Sequence, residues 1–240
     1  MPEIVANPAA LREVRERRLL LNRCDAWLFE EMSPFIGQRV LEVGCGYGNL
    51  AVHLLSRELV VGIDVSEDSI AVFRQRFANY GHVRAYVYDI TDPQVLELAQ
   101  IGFDTAIALN VMEHIGAEEK ALHHIRALLV PGGRFVAVVP ALPGVYGTMD
   151  QAIGHHRRYT ARMLRERLVR AGFSLLRLHY YNLPGILGWW LNGRLLRRTV
   201  PPAGQLRLFD RLVPLIRAVE RRVPMPVGLS LMAVAQRGTD

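Results

Sequence analysis

Apolar residues along this chain follow two rhythms. Near-continuous apolar stretches of strand length recur at "RVLEV", "LVVGID", "VRAYVYD", "FDTAIALN" and, after a Pro-Gly-Gly turn, "RFVAVVP". Between them lie segments with helical spacing: "NLAVHLLS", "SEDSIAVFRQRFANY" with Ser66 as its N-cap, a short helix from Asp92, and "AEEKALHHIRALL". Strands that are apolar throughout are buried on both faces, and their alternation with helices predicts a parallel sheet between two helical layers.

Both ends depart from this alternation. Residues 8–31 alternate apolar and charged positions at helical spacing, with Asn7 as N-cap and Pro8 at the first helical position. After the fifth strand, "ALPGVYGTMDQAIGHHRRYT" reads as a long loop, and long loops in compact domains usually serve function. The helix "ARMLRERLVRAG", capped by Thr160, then leads to a sixth strand, "FSLLRLHYY". Residues 182–226 are rich in Pro, Gly, Trp and Arg, and "VGLSLMAVAQR" follows as a seventh strand. A long excursion between two closing strands predicts an antiparallel pair at the sheet edge. The organisation expected is one domain over 1–240. It comprises an N-terminal helical cap (1–36), a core (37–140), a loop, helix and sixth strand (141–181), an inserted helical cap (182–226), and a final strand and tail (227–240).

The overall charge of +6 conceals a segregation. Residues 1–150 carry 13 basic and 19 acidic side chains, whereas 151–240 carry 16 basic and 4 acidic. Clustered positive charge attracts anionic partners. The two cysteines, Cys24 and Cys45, form no disulfide framework. The opening "MPEIVANPAALREVRERR" places prolines, acids and arginines where a signal peptide has its apolar region. No run reaches the roughly 18–20 apolar residues of a spanning helix. A reduced, cytoplasmic location is expected, with peripheral membrane contact as the one departure from it.

The turn after strand one is "EVGCGYGN". A dinucleotide fingerprint, G-x-G-x-x-G, needs a third glycine where Asn49 stands, and a pyrophosphate is ill served by the neighbouring Glu42. The spacing is G-x-G-x-G, preceded by an acid that suits a cationic ligand. Asp64 ends strand two, Asp89 and Ile90 end strand three, and "ALNVMEHI" ends strand four. Carboxyl ends of strands are where open α/β sheets bind ligands.

This series resembles the class I S-adenosylmethionine-dependent methyltransferases, and its "MEHI" is similar to the ubiquinone and menaquinone type. The resemblance runs from about Val40 to Val139. It implies a Rossmann-like seven-stranded sheet in the order 3-2-1-4-5-7-6, strand seven antiparallel, with helices on both faces and a helical insertion between strands 6 and 7. It also implies S-adenosyl-L-methionine as cofactor, with Glu42, Gly44, Cys45, Gly46, Asp64, Val65, Asp89, Ile90 and Asn110 around it. NAD, the other cofactor considered, is disfavoured by Asn49 and by the single mononucleotide-like half.

Methyl transfer to oxygen or nitrogen needs alignment and often loss of a proton. His114, just past strand four, and His155 and His156 in "GHHRRYT" are the candidates for moving it, with Asn110 beside the methyl group. Arginine holds carboxylates or phosphates in bidentate geometry, so Arg157, together with Tyr146, Tyr159 and Trp189, is placed on the acceptor side. Related enzymes with E-x-x-E-H after strand four use a divalent cation. Here Glu113 and His114 match that pattern but Asn110 replaces its first glutamate, which weakens a hard-cation site, and the site is read as metal-free.

The inserted segment interleaves Trp189, Trp190, leucines and arginines and reads as amphipathic helices, "ILGWWLNGRLLRR" and "LRLFDRLVPLIRAVERR", the second interrupted by Pro214. Three roles follow for it: covering the cofactor cleft, pairing two subunits in a homodimer, or meeting an anionic membrane. The expected activity is O-methylation of a small or amphiphilic acceptor, lipid- or glycan-linked acceptors included. Alternatives are methylation of tRNA or rRNA, N-methylation of a small molecule, and cofactor binding without catalysis. Nucleic acid is disfavoured because the aromatics cluster with leucines instead of lining a basic groove.

Overall fold

The computed structural model describes residues 7–223 and 225–239. Residues 1–6 of the N-terminal cap, Pro224 of the insertion and Asp240 of the tail lie outside the described residues. Seven strands form one sheet: β1 (Arg39–Val43), β2 (Leu59–Asp64), β3 (Val83–Val87), β4 (Phe103–Leu109), β5 (Leu129–Pro140), β6 (Phe173–Tyr181) and β7 (Ser230–Arg237). Their order is β3-β2-β1-β4-β5-β7-β6, as the resemblance implied. β1 pairs in parallel with β2 on one side and β4 on the other, while β7 runs antiparallel to both β5 and β6. The chain thus reverses its winding direction at β1 and β4, and the crevice at a reversal of this kind is where such sheets receive ligands.

Apolar strands bury both faces. One core cluster gathers Leu41, Val61, Ala106, Phe135 and Leu231, and the other Val40, Val60, Ile107, Val136 and Met232. Successive side chains of one strand therefore supply opposite layers, as the two-residue period requires. Helices α3 (Glu67–Arg76) and α4 (Glu118–Leu128) cover the sheet, and Ser66 caps α3 by accepting from the Ser69 N–H. α6 (Ala161–Arg170) is capped by Thr160, whose side chain accepts from the Met163 N–H.

Four local expectations change. The helix predicted over "NLAVHLLS" contracts to a 3₁₀ turn, Ala51–Leu54. Hydrogen-bonded helix is marginal at that length, and the segment is held by burial of Leu50, Ala51 and Leu54. The N-terminal run splits into α1 (Pro8–Arg18), capped by Asn7 as predicted, and α2 (Asn22–Met32). The break occurs where Asp210, distant in sequence, accepts hydrogen bonds from the N–H groups of Arg23 and Cys24. A cap supplied from another helix is invisible to local sequence. The loop over 141–160 contains a 3₁₀ turn, Pro143–Val145, and a short helix α5 (Thr148–Ala152). Finally, β7 begins at Ser230, later than Val227.

The insertion forms α7 (Gly185–Trp190), a π turn (Leu191–Leu195) and α8 (Ala203–Glu220), which contains Pro214. α8 packs on α2, with Glu30 paired to Arg217 and Arg221. N-terminal helices and insertion therefore stand together as a roof over the carboxyl ends of the strands.

Candidate active site

The turn after β1 is built around a carbonyl. The N–H groups of Gly44 and Cys45 both donate to the Ile63 carbonyl, at 2.8 and 3.0 Å, which ties β1 to β2. Gly44 has φ +69°, and a Cβ there would lie 2.4 Å from Val111 Cγ2. Gly46 has φ +51°, yet a Cβ there would meet nothing within 4 Å: its bare face looks into open space. Asp64 organises the turn from the side, accepting from the Gly46 N–H (3.0 Å) and the Ser66 N–H (2.9 Å).

Glu42 is buried, and its Oε2 has no hydrogen-bond partner among the described residues. Burial, reinforced by the neighbouring Asp64 carboxylate, pushes its pKa up to about 8. An acceptor held this way is costly unless a donor or cation arrives to meet it. Asp89 is exposed, and its Oδ1 accepts from the backbone and hydroxyl of Thr91. Ile90 is buried, Val65 is exposed, and Asn110 takes a left-handed φ of +53° where β4 ends. All of these residues border one cavity of about 860 Å³. Cys45 lies at its edge but turns its sulfur toward Gly62, where a Cβ would come within 2.7 Å of Sγ. Its side chain packs with the core, and burial raises its thiol pKa, so it serves the turn through its backbone.

The opposite wall carries a buried acid–imidazole chain. Asp150 in α5 accepts from the Gly147 N–H (3.0 Å), Arg158 Nε (2.8 Å) and Trp189 Nε1 (3.0 Å), and His155 Nδ1 lies 2.9 Å from it. Burial alone would raise the Asp150 pKa; the His155 hydrogen bond and the Arg158 charge outweigh it and hold it below the ordinary value. With Nδ1 held by Asp150, His155 turns Nε2 toward Glu113 Oε1 at 3.7 Å. Glu113 is fully buried, neither of its oxygens has a hydrogen-bond partner among the described residues, and burial pushes its pKa up to about 7 against the pull of His155. The His114 ring meets the His155 ring edge-on at 4.7 Å. His156 borders the same cavity, and its N–H donates to the Glu113 carbonyl. Glu113, His114 and His155 each offer a ligand atom, all within 4.8 Å of one another.

Three residues expected on the acceptor side lie away from the cavity. Tyr159 is fully buried and donates to Glu118 Oε1 at 2.8 Å. Arg157 donates to the Ile115 carbonyl and to Glu118 Oε2, bracing the start of α4. Tyr146 donates to the His155 carbonyl at 2.7 Å and so holds the histidine loop. None of the three borders the cavity, because each finds an internal partner that satisfies its polar group. Trp189 does border it, with Arg158 over its ring at 5.0 Å. Asp150 was missed by sequence reasoning altogether. Its one local signal, a carboxylate three residues past Gly147 suited to closing the first turn of a helix, sits inside what reads as loop.

S-adenosylmethionine fits the residues present: the orphaned Glu42 oxygen suits its ammonium, and the bare backbone at Gly46 accepts a ligand pressed against it. Residues 41–135 match the family described as "Methyltransferase domain". An O-methyltransferase of Pyrenophora dematioidea is 27% identical over 178 residues, covering 71% of this chain and 65% of its own length. A ubiquinone biosynthesis O-methyltransferase of Aeromonas salmonicida is 26% identical over 50% of this chain and 51% of its own. The chain thus spans about half to two thirds of these curated relatives. An S-adenosylmethionine-dependent methyltransferase structure from Mesorhizobium loti shares the fold, with a TM-score of 0.56 at 18% identity over 85% of this chain and 92% of that one. Signature, relatives and strand order agree: residues 41–135 match a methyltransferase domain, and the sheet has the fold of a solved S-adenosylmethionine-dependent methyltransferase.

Proposed function

We propose that this chain is an O-methyltransferase acting on a hydroxyl of an apolar or amphiphilic acceptor. The observation that carries this reading is the Asp150–His155–Glu113 chain, set into the wall of the cavity that also holds the glycine turn. A hydroxyl must lose its proton as it gains a methyl group, and a carboxylate-oriented imidazole is suited to take that proton. Elsewhere the cavity is bordered by Leu28, Phe209, Leu206, Met149 and Ile153, which favour an apolar body, and by Arg17, Arg18, Asp25 and Gln205, which favour a polar end. A volume of about 860 Å³ lies high in the range of about 300–1,000 Å³ seen for ligand sites, leaving room for acceptor beside cofactor.

S-adenosylmethionine supplies, when bound, a methyl group on a sulfonium. Glu42 and the Gly44–Gly46 backbone hold the amino-acid end, Asp64 the ribose, and Asp89 with Ile90 the adenine. Asp150 keeps His155 in one tautomer and steadies the charge it gains on taking the acceptor proton, while Arg158 and Trp189 keep Asp150 ionised. α1, α2, α7 and α8 contribute lining residues that roof the cavity. Positioning supplies most of the acceleration.

The test is S-adenosylhomocysteine release with a panel of hydroxylated amphiphiles, the methyl position being read by mass spectrometry. His155→Gln is expected to lower kcat about 10²–10⁴-fold with cofactor affinity unchanged. A methyl group found on nitrogen or carbon, or an unaltered kcat, overturns the reading.

A second use of the same cluster rests on the 4.8 Å proximity of Glu113, His114 and His155. One carboxylate and two imidazoles, one of them oriented by a further carboxylate, suit a divalent cation. Activity lost on exhaustive chelation and restored by added manganese or zinc supports that use; activity that survives chelation removes it.

A further inference from the structure

We propose that the outer face of the inserted cap is a docking surface for an anionic lipid bilayer. α8 is apolar on two sides. Its inner side places Leu206, Phe209 and Val213 against the cavity and α2, whereas its outer side exposes Leu208, Leu212, Leu215 and Val219. These four follow i, i+4, i+7, i+11 and form one stripe along the helix. Leu208 is 57% exposed and Leu215 66%, although the helix already has a second apolar side, where Phe209, Val213 and Ile216 pack against the core. A second stripe, Leu187, Leu191 and Leu195, is exposed on the preceding helical segment, joined to α8 where Asn192 Nδ2 donates to Gln205.

Charge identifies the occupant. Between 182 and 226 the sequence has eight arginines and two acids, Asp210 and Glu220. Both acids point inward: Asp210 accepts from the N–H groups of Arg23 and Cys24, and Glu220 from those of Asn182 and Leu183. The outward charges are arginines, among them the exposed Arg207, Arg211 and Arg222. Leucines flanked by Arg207, Arg211 and Arg222, which form no ion pair among the described residues, match hydrocarbon beneath anionic headgroups. No helix among the described residues is long and apolar enough to cross a membrane, so α8 would lie in the interface. This inference stands apart from the acceptor reading, because the outward side chains do not border the cavity.

The test is sedimentation of the full chain with vesicles of phosphatidylcholine alone or with phosphatidylglycerol. Binding is expected only to the anionic vesicles and is expected to weaken as salt rises. Arg207→Glu with Arg211→Glu, and separately Leu212→Asp with Leu215→Asp, should each lower partitioning at least about tenfold. S-adenosylhomocysteine binding by calorimetry should be unchanged in both variants, which certifies their folding. Equal binding to both vesicle types, no binding at low salt, or indifference to the substitutions overturns the proposal. Self-association abolished by Leu212→Asp, without vesicle binding, assigns the face to a second copy and also overturns it. Capture of an acidic protein in place of vesicles does the same.

Discussion

The cavity's two walls come from different kinds of chain. Glu42, Gly44, Gly46, Asp64 and Asp89 come from one stretch, at the tips of three neighbouring strands. Glu113, Asp150, His155 and Trp189 come from a 3₁₀ turn, a short helix, a loop and the inserted cap. The first wall works largely through backbone: two glycines at positive φ and N–H groups tied to Ile63 and Asp64. The second works through side chains that hold one another, and a single carboxylate, Asp150, gathers four donors. A backbone nest fails when its geometry fails, whereas a side-chain network fails by losing one partner.

The largest effect should come from Gly44→Val, which combines a β-branched residue at φ +69° with a 2.4 Å approach to Val111. Calorimetry should show S-adenosylhomocysteine binding weakened more than about 100-fold, and the melting temperature should fall by several degrees. Asp150→Asn attacks the other wall. It leaves Arg158 buried beside a neutral side chain, a loss of about 3–5 kcal/mol in chemical denaturation, and should lower kcat about 100-fold. Cofactor affinity should stay within about twofold, because none of the four donors to Asp150 belongs to the glycine turn and groups without shared partners behave independently. A parallel loss of cofactor affinity would break the separation of the walls.

Glu42→Gln should have an intermediate effect and sharpens the comparison through pH. The folded pKa near 8 lies above the ordinary value of 4.5, so the unfolded chain gives up this proton first. Glu42 therefore lowers stability progressively from about pH 4.5 to about pH 8, with no further change above. Glu113, pushed up to about 7, acts in the same direction over a narrower range. In the ligand-free protein the fall in melting temperature across this range should be shallower in Glu42→Gln. Because an ionised Glu42 is what meets a cation, wild-type binding at pH 7 should release a proton, visible as a dependence on buffer ionisation enthalpy. The variant should release none and bind about tenfold more weakly. The smallest effect belongs to Tyr159→Phe: loss of its bond to Glu118 should cost about 1 kcal/mol and leave kcat unchanged.

The alternation of strands and helices, the glycine turn, the acids at strand ends and the caps of α1, α3 and α6 were legible because each is a local relation. Strand burial fixes apolar runs, left-handed turns select glycine, and helix starts select side chains that accept from the next turn. That Tyr146, Arg157 and Tyr159 lie away from the cavity was not legible, for the opposite reason. Composition marks them as ligand-binding types, but whether a polar group faces a ligand or an internal partner depends on residues far away, Glu118 in two of the three cases.

By itself the sequence determined the alternation of strands and helices, the glycine turn and the segregation of charge, since these follow from chain periodicity, backbone conformation and composition, whereas the strand order came through the family resemblance. Only the tertiary structure decided that α2 is capped by Asp210, that Asp150 backs His155 against Glu113, and that α8 turns a second apolar face outward. Each depends on which distant groups packing brings within hydrogen-bond reach and which it leaves uncovered, and a one-dimensional pattern holds no distances of that kind.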